Sequence, residues 1–201
     1  EKWVLVPTDF QKLKDILFSW QIGMAKNHAW NAVFWCNHDQ PRALSRFCDD
    51  QNYRIEAAKM LATTLHCMRG TPYVYQGEEI GMTNAYYTHI SQYRDVESTN
   101  FYEILKAEGR SKNEILHVLQ DEASIFYHYQ KLIRMRKEYP LIQDGRFIPI
   151  LETHKAVFAY KRVSADDELL VLSNFYPEKT NVELKDIDGY ERLLSNYKDS
   201  R

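Results

Sequence analysis

Apolar positions recur at helical spacing from Thr8 to Ile22, with Leu13, Ile16, Leu17 and Trp20 on one face and Thr8 and Gln11 in capping-box spacing ahead of them. The period then changes. Ala32, Val33, Phe34, Trp35 and Cys36 form a continuous apolar run, as expected of a strand buried on both faces of a parallel sheet. Tyr53 to Met68 returns to helical spacing, with Ile55, Ala58, Met60, Leu61, Ala62 and Leu65 giving a wide stripe that Gly70, Thr71 and Pro72 end. A second short strand, Tyr73, Val74 and Tyr75, runs into Gln76, Gly77, Glu78 and Glu79. The order helix, strand, helix, strand predicts a parallel sheet with helical crossovers.

Beyond Asn84 the pattern weakens into polar and aromatic loop, with one helical stretch near Val96 to Ala107. Ser124 to Glu138 resumes a clean helix: Ser124 is placed to cap it, Ile125, Phe126, Tyr129, Leu132, Ile133 and Arg136 follow at helical spacing, and Pro140 stops it. The period then falls to two. Phe147 to Leu151, Val157 to Lys161, Leu169 to Phe175 and Val182 to Leu184 alternate between turn-rich segments, which predicts an antiparallel β domain starting near Gly145. The chain therefore divides into residues 1–144 and 145–201. Two strand and helix repeats cannot close a parallel barrel, and a two-stranded parallel sheet leaves both edges open. These residues are expected to be part of something larger.

Composition narrows the function classes. The 201 residues are 44% apolar, enough for a core, and the charge balance of 26 basic against 28 acidic residues gives a net −2. No basic face points to nucleic acid or anionic lipid. Sugar-binding surfaces use Tyr and Trp, but so do ordinary cores, and the 13% aromatic share does not separate them. Cys36, Cys48 and Cys67 are odd in number and lack metal-ligand spacing, which suits a reduced, cytoplasmic protein. No membrane span or secretory leader is legible.

Candidate chemistry collects at the two strand tips. Asn37, His38, Asp39, Gln40 and Arg42 follow the first apolar run, with Pro41 preventing its continuation. Strand C-terminal ends are where α/β barrels and open sheets place their sites. Asp39 with His38 suits a transition-state stabiliser, a general acid or base, a metal ligand or a solvated loop without a task. Surrounding donors favour a functional carboxylate kept ionised. One imidazole is too few for a metal centre, so no metal is expected. Ser45 lacks a nucleophile-elbow glycine pattern. Glu78 and Glu79 are adjacent, so at most one should face Asp39. Glycoside hydrolysis needs two carboxyl groups across the scissile bond, and only one strong candidate is present.

The segments FWCNHDQPRALSRF, YRIEAAKMLATTLHCMRGTPYVYQGEEIGMTN and YRDVES resemble the carboxy-terminal half of the α-amylase superfamily, in its oligo-1,6-glucosidase branch. The resemblance covers essentially the whole chain. It implies an α/β fold, the C-terminal part of a (β/α)8 barrel followed by an incomplete antiparallel β domain, and a retaining α-glucosidase that uses no cofactor. Trp35 and Cys36 before NHDQPR, together with YRDVES, are most similar to members that cleave trehalose 6-phosphate to glucose and glucose 6-phosphate. Members acting on 1,6-linked oligosaccharides or dextran remain alternatives. The implied partner is a small α-glucoside, a phosphorylated disaccharide among them.

Of the family's three catalytic carboxylates, Asp39 matches the transition-state stabiliser, which holds the sugar hydroxyls at C2 and C3. His38, Asn37, Gln40, Arg42 and Glu78 are the substrate-binding candidates, Gln40 and Arg42 toward the rim and Glu78 at the eighth-strand tip. A phosphate would need a cation, for which Arg46 and Arg94 are candidates. The nucleophile and the acid/base have no counterpart here, and several dozen family residues are missing near Gln120 and Asp121. The 201 residues are therefore expected to be inactive alone. Cys48 stands where the family has glycine, which would strain a turn if its φ were positive. A reading of another class is a non-catalytic amylase-like scaffold or carbohydrate-binding fragment.

Overall fold

The computed structural model of the chain describes residues 7–85, 125–184, 187 and 189–197. The chain forms two compact units. One gathers residues 1–7 and 84–117, of which only Pro7, Asn84 and Ala85 are described; the other comprises residues 8–83 and 118–201. The second unit holds the elements below. The expected helix near residues 96–107, the Ser124 cap, Arg94, and the discontinuity at residues 120 and 121 lie outside the described residues.

Helix α1 spans Phe10–Lys26. Its cap is Asp9, one residue later than the sequence pattern suggests, because the Asp9 carboxylate reaches the Lys12 amide at 3.0 Å. The buried face also differs from the expected one. Phe10, Lys14, Phe18 and Gln21 are buried, whereas Ile16 and Trp20 are 45% and 55% exposed. Two polar residues decide this orientation. The Lys14 ammonium donates to the carbonyls of Leu151, His154 and Val157 at 2.6, 2.9 and 2.9 Å. The Gln21 amide pairs with both the N–H and the C=O of Arg69. Specific partners make these buried polar groups favourable, and an apolar count cannot foresee them.

Strands β1 (Ala32–Val33) and β2 (Thr71–Pro72) pair in parallel, Ala32 opposite Thr71 and Val33 opposite Pro72. Helices α2 (Ala43–Phe47) and α3 (Arg54–His66) lie between them in the chain. The crossover order is the predicted one, but β1 is shorter than its apolar run and β2 falls on Thr71–Pro72, ahead of the strand expected at Tyr73 to Tyr75. Burial on both faces is not what the structure has: Val33, Trp35 and Cys36 are buried while Phe34 is 47% exposed. The reason is that Trp35 turns into the core, where its indole N–H donates to the Leu61 carbonyl at 2.7 Å, and the alternation of a pleated strand sends Phe34 the other way. Tyr73 and Val74 are exposed as well and lie past the end of β2. Gly70 enters β2 at φ +134°, where a Cβ would sit 2.6 Å from the Asn31 carbonyl.

Helix α3 is buried around most of its circumference. Ala57, Ala58, Met60, Leu61, Ala62, Thr64 and Leu65 all face protein, while Ile55 is exposed at its first turn. Small residues let neighbours approach closely on two sides. Helix α4 (Ile125–Glu138) covers one side. The other faces a three-stranded antiparallel meander of β3 (Arg146–Ile150), β4 (Val157–Val163) and β5 (Glu168–Asn174). A short helix α5 (Leu141–Asp144) precedes the meander, so the antiparallel region starts at Arg146, beside the predicted Gly145. Residues 182–184 form no strand. Thr64 Oγ1 donates to Ser173 Oγ at 2.6 Å and Tyr160 Oη to the Thr64 carbonyl at 2.7 Å, joining α3 to the meander. The rings of Phe18 and Phe158 stack at 4.9 Å and those of Phe147 and Tyr160 at 4.8 Å.

Burial holds His66 and His128 neutral, each pushed down to about 4. The unfolded chain binds protons at these sites from about pH 6.5 downward and the folded chain does not. Their stabilising contribution is therefore complete above pH 6.5 and is lost as pH falls toward 4. Thermal melts between pH 7 and 4 should show this acid loss. His66→Phe should reduce it, because neither ring nitrogen of His66 has a hydrogen-bond partner among the described residues. Lys14→Met should lower stability by about 2–4 kcal/mol in denaturant titrations, since three carbonyls lose their donor.

Candidate active site

The first tip is a self-bonded turn. Asn37 Oδ1 accepts the Asp39 amide at 2.9 Å and the Asn37 carbonyl accepts the Gln40 amide at 3.2 Å, an arrangement that asparagine favours because its side chain imitates a backbone turn. The turn projects His38 and Asp39 outward. Their side chains are 79% and 75% exposed, with His38 Nε2 3.3 Å from Asp39 Oδ2. The expected buried nest of donors around Asp39 is absent among the described residues. β1 ends at Val33, well before Pro41, and the Asn37 side chain caps the Asp39 amide rather than its carboxylate. A pair this solvated stabilises the fold little, leaving both groups available to a ligand.

Gln40 and Arg42 are held by other contacts. Gln40 Oε1 accepts from Arg46 Nη1 at 3.0 Å, so Arg46 supports the turn while its guanidinium lies 5.2 Å over the Phe47 ring. Arg42 crosses to the second tip. It donates through Nη1 to the Gln76 carbonyl, approaches Met82 Sδ at 3.8 Å and lies 4.6 Å over the Tyr75 ring. Neither Tyr75 as an aromatic platform nor Arg46 as a prop stands out in the sequence. The only available signal is that an arginine six residues beyond Gln40, one helical turn into α2, can reach back.

The second tip, Tyr75 to Met82, folds back on itself. Glu78–Ile80 form a 3-10 turn between Gly77 at φ +89° and Gly81 at φ +65°. The sequence allows at most one glutamate to face Asp39, and each carboxylate accepts an amide of its own loop: Glu78 Oε2 from Tyr75 at 2.7 Å, Glu79 Oε2 from Gly77 at 2.8 Å. Two adjacent carboxylates repel, and separate amides keep them apart. Arg54 Nη1 donates to the carbonyls of Ile80 and Gly81, pinning the turn to α3. Burial raises Glu78 to about 7, with the Tyr75 amide and the Arg42 charge opposing the rise and Glu79 adding to it. Cys48 has φ −137°, ordinary extended backbone, so the strain expected there does not arise. Among the described residues no group of three or more His, Cys, Asp or Glu is placed to hold a metal.

Two strand tips joined by an arginine, one offering a solvent-facing carboxylate beside an imidazole, form a surface suited to polyhydroxylated ligands. Residues 1–115 match the family described as alpha amylase, catalytic domain, and residues 157–201 match the alpha-amylase SusG C-terminal domain. The chain belongs to the α-amylase family. Relatives of this α-amylase family chain include trehalose-6-phosphate hydrolase of Bacillus subtilis (strain 168), 43% identical over 92% of the chain and 41% of that protein. Oligo-1,6-glucosidase of Halalkalibacterium halodurans is 40% identical over 98% of the chain and 43% of the relative. The crystal structure of Bacillus licheniformis trehalose-6-phosphate hydrolase superimposes with a TM-score of 0.89 at 43% identity, covering all of this chain and 45% of that one. The chain thus spans less than half the length of the relatives it matches.

The left-handed turn predicts a further result. At Gly81 a Cβ would sit 2.4 Å from Ile125 Cδ1. Gly81→Ala should therefore cost about 1–3 kcal/mol, measurable as a lowered urea midpoint.

Proposed function

We propose that residues 1–144 are the carboxy-terminal part of a catalytic (β/α)8 barrel and residues 145–201 part of the antiparallel β domain behind it, in an enzyme that hydrolyses α-glucosidic bonds with retention. The preferred substrate is trehalose 6-phosphate, cleaved to glucose and glucose 6-phosphate. Among the described residues β1 and β2 pair with no further strand, and such open edges support a sheet continued by further strands. Aligned lengths of 230 and 243 residues exceed the 201 of this chain, so the relatives carry internal residues that this chain lacks. Both support a part of a longer enzyme, inactive by itself.

One observation carries the chemistry: a turn fixed by Asn37 sets an exposed carboxylate, with an imidazole beside it, in the loop that follows a parallel strand. In the assembled barrel Asp39 holds sugar hydroxyls and favours the distorted, oxocarbenium-like ring of the transition state. His38 donates to the same sugar, Asn37 fixes the turn, and Gln40 and Arg42 form the rim, where Arg42 can meet an anionic substituent. The nucleophile and the acid/base come from barrel residues outside this chain. Three free cysteines, Cys36 and Cys67 buried, suit a cytoplasmic setting. The 40% identity to an oligo-1,6-glucosidase favours a second reading, an enzyme for 1,6-linked glucosides.

Hydrolysis by the full-length enzyme of trehalose 6-phosphate against isomaltose tests the substrate. Preference for the phosphorylated sugar supports the first reading, and cleavage of isomaltose alone supports the second. Asp39→Asn should lower kcat by several orders of magnitude with the melting temperature little changed. Retained turnover would remove Asp39 from the mechanism.

A further inference from the structure

We propose that Glu78 is a positioning residue whose carboxylate, through the amide of Tyr75, holds the aromatic platform on which Arg42 rests, so that one proton on Glu78 loosens the sugar-binding rim. This rests on the function proposed above and removes Glu78 from the groups that touch substrate. Three contacts in series make the link. Glu78 Oε2 accepts the Tyr75 amide at 2.7 Å. The Tyr75 ring lies 4.6 Å beneath the Arg42 guanidinium. Arg42 donates to the Gln76 carbonyl, next in the chain after Tyr75, and stands three residues from Asp39. Moving the backbone at Tyr75 therefore moves the Arg42 platform and the acceptor at Gln76 together.

The setting makes this carboxylate easy to protonate. Glu78 lines a cavity of about 10 Å³ with Arg42, Leu44, Leu61, Met82 and Tyr129, room for one water at most. An ionised carboxylate is poorly hydrated there. The groups that act on its charge are Arg42, which favours ionisation, and Glu79, which opposes it; the Cys36 thiol and the Tyr129 hydroxyl are its other ionisable neighbours. Ionised, Glu78 makes a charge-assisted bond to the Tyr75 amide and attracts Arg42. Protonated, it keeps at most a weaker neutral bond to that amide and no longer attracts Arg42. The rim is then fixed above about pH 7 and loosened below it. The same shift has a stability sign opposite to that of the buried histidines: its contribution is complete below pH 4.5 and is lost as pH rises through about 7.

The test is the pH dependence of KM and kcat for the full-length enzyme, wild type against Glu78→Gln, together with a 13C titration of the Glu78 carboxyl. Wild type should show KM rising about threefold to tenfold as pH falls through 7, with kcat changing less. Glu78→Gln should hold a raised KM at all pH values, and the carboxyl signal should titrate near 7. Glu78→Asp, whose shorter arm cannot reach the Tyr75 amide, serves as the second variant if Glu78→Gln does not fold. A KM limb that persists unchanged in the variant, or a carboxyl that titrates between 4 and 5, overturns the proposal. If the wild-type enzyme cleaves no α-glucoside, the parent function fails instead, and the carboxyl titration still decides whether Glu78 is the titrating group.

Discussion

The clamp that Arg136 places on the end of α3 is the constraint on which the site geometry depends. Its guanidinium, buried in the last turn of α4, donates to the carbonyls of His66, Met68 and Gly70. Those carbonyls lie at the C-terminal end of a helix, where partial negative charge collects and intrahelical donors run out. They are also the residues that lead directly into β2. Arg136 thus satisfies the helix end and fixes the point from which β2 starts. The pairing of Val33 with Pro72 then sets how far the second tip lies from the first, and Arg42 bridges them at that separation.

Lys14 repeats the device in α1. Its ammonium gathers two carbonyls from the segment joining β3 to β4 and one from the first residue of β4, tying α1 to the antiparallel meander without a carboxylate. Buried cations are expensive unless their donors are filled, and carbonyl groups fill them with no second charge to desolvate. Helix α3, rich in alanine on its packed faces, packs against α4 and β5. The site is therefore carried by backbone geometry that is fixed far from the reacting groups.

The two tips differ in kind for a physical reason. At the first, the turn consumes amides and leaves the Asp39 carboxylate in solvent, ready for a ligand. At the second, the carboxylates themselves cap the amides, and burial on a small cavity raises the proton affinity of Glu78. Residues of one chemical type, three acidic side chains at strand ends, thus divide into one that faces outward and two that hold backbone.

The sequence by itself determined the order of elements, a parallel strand pair joined by a helical crossover, the later change to an antiparallel meander and the location of polar chemistry after Cys36 and Tyr75, while the second strand formed at Thr71–Pro72 rather than in the apolar run after it. These follow from periodicity and from breakers such as Pro41, Gly70 and Pro140, which act within a few residues. The family, too, was legible in contiguous segments. The burial of Lys14 and Gln21 in place of Ile16 and Trp20, the inward folding of Glu78 and the prop that Arg46 gives to Gln40 were decided only by tertiary structure. Each depends on a partner distant in the chain, or on the volume left between packed elements. Local spacing carries neither quantity, because a hydrogen bond to Leu151 and a cavity beside Tyr129 exist only after the chain has folded.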